Sequence, residues 1–236
     1  MTHKIVLFSA CAAVLSMYTA AASTCDSMDG ETLAQFETAG SCTYGGFTFS
    51  NFSYSYSSSG GGQTITPSNI DVFATSNADG YGLEFNASWN AYGNNSTSDG
   101  DIHFTVTAND GASEIQDAGL AVTDGVGGTG IATVSEQGCS GTSCIPGTWK
   151  VDTFDSSVPG TDQGSATTFI TPTGSVTVSK DINSSANGVP VTDYATISSV
   201  VDTFSVVPEP RALPILLGLG LVAGLVVRKK FQSASA

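Results

Sequence analysis

From residue 47 to residue 207 the chain alternates between apolar and polar positions. Phe47 and Phe49 share one parity, while Phe52, Tyr54 and Tyr56 carry the other. The change of phase falls at Ser50-Asn51 and predicts a turn or a β-bulge there, because a one-residue slip sends every later side chain to the opposite face. The period of two returns in Leu83/Phe85/Ala87/Trp89, in Ile102/Phe104/Val106/Ala108, in Val176/Val178 and from Ile197 to Val207. Shorter runs at 70–74, 119–123, 130–135, 148–154 and 167–170 are weaker strand candidates. Between them lie Gly, Asn, Asp and Ser clusters at 58–62, 94–100 and 124–130, which read as turns and loops. Only residues 29–40 read as a helix, with Asp29 at the start, Leu33 and Phe36 on one face and Gly40 as the stop. About ten short strands with one apolar face and no helical crossovers predict an all-β domain, an antiparallel β-sandwich of which the jelly roll is one form. No repeat of fixed period points to a propeller or a solenoid.

The two ends break this pattern. Lys4, the apolar run at 5–17 and Ala20-Ala21-Ala22 have the order of a secretory signal peptide, so residues 1–23 are expected to be removed on export. Neither Cys11 nor Cys25 follows a well-formed lipobox. At the other end, residues 212–227 are apolar and are followed by Arg228, Lys229 and Lys230. Sixteen residues give a helix of about 24 Å, short of a hydrocarbon core of about 30 Å by an amount that snorkelling basic side chains can close. The basic cluster is expected on the cytoplasmic side and the domain before it outside. Pro208 and Pro210 keep the peptide before this transmembrane helix extended and open to a protease or transpeptidase. Residues 24–207, about 184 in number, make one ordinary domain.

Cysteine usage agrees with export. With Cys11 lost in the signal, Cys25, Cys42, Cys139 and Cys144 remain, an even number for an oxidising compartment. Three connectivities are open, of which loop closure favours the local pairs Cys25–Cys42 and Cys139–Cys144. Zinc is disfavoured, since C-x-x-C spacing and neighbouring histidines are missing. The whole chain carries a net charge of −14. Within the central domain 20 acids face only Lys150 and Lys180, a net of about −18, which excludes nucleic acid as a partner.

Catalytic inventory is thin. His3 leaves with the signal, and His103 sits at the odd parity of the strand around Ile102 and Phe104, on its solvated face. With one imidazole and no G-x-S-x-G elbow, a serine triad has no support, and no enzyme is expected. Asn94-Asn95-Ser96-Thr97-Ser98-Asp99-Gly100-Asp101 has the oxygen-rich composition of a hard-cation loop, with Asn95, Asp99 and Asp101 as candidate Ca²⁺ ligands, but it lacks the EF-hand spacing and a terminal bidentate Glu. Trp89, Trp149, Tyr54, Tyr56, Tyr81 and Tyr92 would stack on sugar rings if several shared an exposed face; Trp89, in phase with Leu83 and Phe85, is expected in the core instead.

Val207-Pro208-Glu209-Pro210, an apolar helix rich in Leu and Gly, and Arg228-Lys229-Lys230 together resemble the PEP-CTERM sorting signal of exported proteins from Gram-negative bacteria that make extracellular polysaccharide. The match covers about the last 30 residues. It implies recognition of Pro208, Glu209 and Pro210 by an exosortase, a membrane-embedded cysteine peptidase. It also implies transient anchoring in the inner membrane by residues 212–227, removal of the helix, and transfer of the new C-terminus to the cell surface or extracellular matrix. Residues 38–56, with Gly40-Ser41-Cys42 and Phe47-Thr48-Phe49-Ser50-Asn51-Phe52-Ser53-Tyr54, further resemble the start of a β-rich ectodomain found on such proteins. That second likeness brings no activity with it. A glycan-binding or adhesive module, assisted by Ca²⁺, is the alternative expectation, with exopolysaccharide or another surface glycan as partner.

Overall fold

The alternating pattern resolves into long strands in a computed structural model that describes residues 23–111, 113–140, 149–156, 163–188 and 192–208. In chain order these are β1 (Ser23–Thr24), β2 (Glu31–Thr32), α1 (Leu33–Ala39), β3 (Ser41–Tyr44), β4 (Phe47–Ser59), β5 (Asp71–Asn77), β6 (Gly80–Tyr92), β7 (Ser96–Ala108), β8 (Ser113–Gly127), β9 (Ile131–Ser140), β10 (Trp149–Ser156), β11 (Ser165–Thr173), β12 (Ser175–Ala186) and β13 (Tyr194–Pro208). They form two sheets with strand orders β1-β3-β4-β7-β12-β9-β10 and β11-β8-β13-β6-β5-β2, here sheet A and sheet B. All pairs are antiparallel except β1 with β3. The expected β-sandwich is therefore the fold of the described residues.

Each sheet turns one face inward. β7 shows it along its whole length: Ser96, Ser98, Gly100, Ile102, Phe104, Val106 and Ala108 are buried and every residue between them is partly exposed. Phe104 is the hub of the core. Its ring lies 6.4 Å from Phe49 and 6.0 Å from Phe52 in its own sheet, and 5.9 Å from Phe85 and 6.3 Å from Phe204 in the facing one. Burying each such ring contributes about 1.5–3 kcal/mol, and tilted or edge-on contacts add about 0.5–1.5 kcal/mol per pair.

The phase change predicted at Ser50-Asn51 is a β-bulge. The β4–β7 register shifts between Ser50 and Ser53, and Asn51 takes a positive φ of 58°. The bulge lets Phe49 and Phe52, of opposite parity, both enter the core. The predicted helix is shorter than its sequence signal. It begins at Leu33 because Thr32 and Gln35 form a capping box, the Gln35 Oε1 accepting from the Thr32 backbone at 2.8 Å. Asp29 serves elsewhere, its Oδ1 accepting from the Ala74 N–H of β5 at 2.7 Å. Gly40 does end the helix, with φ 78° and its N–H on the Phe36 carbonyl.

Two expected loops are strand instead. β7 starts at Ser96 inside the cluster at 94–100, and β8 runs through Asp124 to Gly127. Small hydroxyl residues at inward positions carry no hydrophobic signature, yet two of them bond to main chain: Ser98 Oγ donates to the Gln63 carbonyl at 2.7 Å and Ser184 Oγ to the Trp89 carbonyl at 2.8 Å.

Of the four candidate cysteines, Cys25 and Cys42 form a disulfide that ties the 3-10 turn Cys25–Met28 to β3. Closing a 17-residue separation is worth about 3 kcal/mol in the loop-entropy picture. Cys139 is also a disulfide cysteine, and Cys144 lies outside the described residues. No helix among the described residues is long and apolar enough to cross a membrane. Residues 212–227, where the transmembrane helix is expected, lie outside them, as does the signal peptide except for Ser23.

Candidate functional site

The C-terminal signal meets the fold at β13. This strand lies between β8 and β6 and is paired on both sides along most of its length. Its last residue, Pro208, is opposite Ser113 of β8. Glu209, Pro210, Arg228, Lys229 and Lys230 lie outside the described residues.

The candidate Ca²⁺ ligands do not come together as one loop. Asn95 sits in the turn before β7 with φ 54°, whereas Asp99 and Asp101 lie on the outer face of β7. Asp181 of β12 is directly opposite Asp101, and Asn183 is opposite Asp99 and donates to its Oδ2 at 2.9 Å. Partial burial, with Asp99 and Asp101 next, raises the Asp181 carboxyl above its ordinary range, and Lys150 offsets part of this. Like charges facing each other across a ladder are destabilising. No group of three or more His, Cys, Asp or Glu among the described residues is arranged to hold a metal ion. His103 is half-buried on the same outer face, opposite Ser53 and Ser179.

The tryptophans are core residues. Trp89 is 0 % exposed and Trp149 9 %. Trp89 Nε1 donates to the Tyr54 hydroxyl at 3.1 Å, and burial pushes that phenol up to about 12. Among the exposed rings, Tyr92 of β6 and Tyr194 of β13 are direct cross-strand partners, whereas Tyr56 is on β4, Tyr81 at the opposite end of β6 and Phe169 on β11. A polar groove of about 780 Å³ does lie on sheet B, lined by Gln63, Asn69, Asp71, Asn86, Ser88 and Ser198. Asp71 and Asn86 face each other across β5 and β6, and the β13 bulge at 197–199 contributes Ser198 to the lining. The buried Asn86 Oδ1 has no hydrogen-bond donor.

The most unusual chemistry lies between the sheets. Lys180 of β12 and Glu136 of β9 are direct cross-strand partners in sheet A, both pointing inward, and Asp202 of β13 meets them from sheet B. All three side chains are 0 % exposed. Lys180 Nζ donates to Glu136 Oε2 at 2.6 Å and to Asp202 Oδ1. Glu136 Oε1 and Asp202 Oδ2 receive no hydrogen bond from any donor, and the two carboxyls meet at the same Lys180 Nζ. The surroundings are dry: Val134, Val178, Ile182, Ile102, Leu83 and Leu120, next to or opposite the triad in the ladders, are each at most 1 % exposed. β6 closes in so tightly that a Cβ on Gly82 would stand 1.6 Å from the Asp202 carbonyl oxygen.

Burial, and then the Glu136 carboxylate, raise Asp202 well above the usual carboxylate range. Burial alone would lower the Lys180 ammonium, but Asp202 and Glu136 more than offset that and leave it above its ordinary value. One ammonium facing two carboxyl groups is a neutral set when one carboxyl keeps its proton, in a medium that penalises net charge. Sequence reasoning counted Lys180 only as one of two lysines in an acidic domain. The signal was parity: Val176-Val178-Lys180-Ile182 and Val134-Glu136 each place a charged residue on the apolar face of a strand.

No protein-family model matches this chain, and no curated protein matches it. Among solved structures, the chain is similar to the enzymatically active domain of tailspike protein 4 from bacteriophage CBA120, at 9 % identity and a TM-score of 0.30 over 66 % of this chain and 20 % of that one. A glycosylation-associated protein complex (Gap123) from Streptococcus agalactiae follows at 12 % identity and 0.28, over 60 % of this chain and 25 % of that one. A carbohydrate-binding module of the β-sandwich superfamily gives 10 % identity and 0.29, over 79 % of this chain and 63 % of that one. The chain spans less than two thirds of each of these proteins.

Proposed function

We propose that this protein is a non-enzymatic, exported β-sandwich delivered by its C-terminal signal to the cell surface or exopolysaccharide matrix of a Gram-negative bacterium. It acts as the substrate of an exosortase, with Pro208, Glu209 and Pro210 as the recognition element, residues 212–227 as the transient membrane anchor and Arg228, Lys229 and Lys230 as the cytoplasmic stop. The observation that supports this reading is the course of β13: paired on both sides to Phe204 and with β8 alone from there to Pro208, it brings the folded domain to the first residue of the motif with no linker between. A domain held by its C-terminus then takes load first on the β8 ladder, joined by the β6 ladder from Phe204 inward, rather than through a loop. Deleting residues 208–230 should shift the protein from membrane and surface fractions to the periplasm or medium. Intact mass of the surface-extracted protein should place its C-terminus near Glu209 or Pro210. Unchanged fractions after the deletion would overturn the reading.

The groove on sheet B favours a second reading, a glycan-binding role. Its amide, hydroxyl and carboxylate groups suit the hydroxyls of a neutral or weakly basic sugar. The burial of Trp89 and Trp149 removes the stacking platform that such sites often use.

A further inference from the structure

We propose that Lys180 and Asp202 form an intramolecular isopeptide bond, with Glu136 as the proton carrier, so that the two sheets of the sandwich are joined covalently. The inference stands on the buried triad alone and is independent of how the protein is sorted.

Three features of the site converge on this chemistry. Nucleophile and electrophile are already in contact, Lys180 Nζ against Asp202 Oδ1, and each is fixed by its strand: Lys180 by pairing with β7 and β9, Asp202 by pairing with β6 and β8. Reactants held in this way have effective molarities of about 10⁵–10⁸ M in favourable cases. A third group able to move protons, Glu136, touches Lys180 Nζ at 2.6 Å, the same atom that contacts Asp202 Oδ1. Finally, the site is sealed by aliphatic side chains and carries no other charged group. In water, amine and carboxylic acid ionise and stay solvated; in a dry core no water stabilises the separate ions, and a proton transfer inside the triad keeps the set neutral as a whole.

The step balances without a cofactor. The set Lys180 ammonium, Glu136 carboxylate and Asp202 carboxylic acid is converted, by one proton passing from Lys180 to Glu136, into a neutral amine beside two carboxylic acids. Nζ attacks Asp202 Cγ, and the new N–C bond forms as the carbonyl is protonated by Glu136. Glu136 then takes a proton from the attached nitrogen, returns one to the departing hydroxyl as the C–O bond breaks and one water leaves, and receives the proton of the remaining hydroxyl as the carbonyl re-forms. No atom changes oxidation state, and Glu136 ends as a carboxylic acid beside the new amide. The product replaces an ion pair between the sheets with a neutral amide, and it ties β13, the strand that runs into Pro208, to β12.

Trypsin reads the outcome directly, because Lys180 is the only basic residue between Lys150 and Arg211. The mature wild-type protein is denatured, reduced and digested. A linked chain gives one species from residue 151 onward, uncut after Lys180, one water lighter than its sequence and carrying the Lys180–Asp202 linkage in fragment spectra. The intact reduced protein is lighter by the same water. Glu136→Gln and Asp202→Ala should each restore the full mass and the cut after Lys180. Wild-type protein of full mass that is cut after Lys180 into separate peptides ending at 180 and beginning at 181 overturns the proposal. That result needs no variant to fold.

Discussion

Lys180→Met removes the only cation that faces two carboxyl groups at 0 % exposure. Breaking a buried pair by deleting one partner costs about 3–5 kcal/mol, since the remaining charge has neither solvent nor counter-ion. The variant also cannot form the cross-link. Closing the 22-residue separation between Lys180 and Asp202 restrains the unfolded chain by a further 3 kcal/mol or so, by the loop-entropy relation used for disulfides. Together the loss is about 6–8 kcal/mol, against a total stability of about 5–15 kcal/mol for a domain. At about 2–4 °C per kcal/mol for a chain of this size, the melting temperature should fall by more than about 10 °C at pH 7. The loss should also depend on pH with a definite sign. Asp202 has a folded-state pKa raised by burial, and without Lys180 nothing opposes that rise. The folded variant therefore binds more protons than the unfolded chain above the ordinary carboxylate range of about 4. Its stability is greatest below that value and declines as pH rises, by at most about 1.4 kcal/mol per pH unit per carboxyl. Urea unfolding followed by the fluorescence of buried Trp89 and Trp149, at pH 4.5 and pH 7, measures both effects. Replacing all three groups, by Lys180→Met with Glu136→Met and Asp202→Leu, removes the stranded charge and should lie between the single variant and wild type. A single variant with the wild-type midpoint at both pH values would refute the burial argument.

Two further outcomes follow from the site geometry. Tyr54, held in its neutral form up to about 12 by burial against an ordinary value near 10, makes the folded state the better proton binder between those limits. Its stabilising contribution, of the order of 2 kcal/mol before discounting for partial exposure, is complete below pH 10 and should fade as pH rises towards 12; a Tyr54→Phe variant should lack this alkaline slope in urea titrations, and an identical slope in both would contradict the assignment. Asn86→Ala should weaken retention on immobilised neutral or weakly basic polysaccharide severalfold with no drop in melting temperature, because the deleted Oδ1 has no donor inside the protein; equal retention by both proteins would remove the groove from consideration.

The period-two pattern was enough for the fold class, and its single break at Ser50-Asn51 was enough for the bulge, because side-chain alternation and strand pairing obey the same local geometry. The favoured Cys25–Cys42 pair was legible for a similar reason, as short loops close at least cost. The strands hidden at 94–100 and 124–130 were not, since Ser, Gly and Asn at inward positions look like turn residues until the carbonyls that satisfy them are known. The acidic residues Asp99 and Asp101 looked like loop ligands for the same reason, and β7 sets them on an open sheet face apart from Asn95.

The sequence by itself determined an alternating β domain, its acidic surface, and at its C-terminus a string of residues whose chemistry is linear and local. Only the tertiary structure decided which strands became neighbours. Glu136, Lys180 and Asp202 come from three strands and two sheets, and each alone reads as an ordinary charge in an acidic chain. Their meeting in a sealed core depends on strand order and on the facing of two sheets, which arise from long-range pairing and packing that no periodicity encodes.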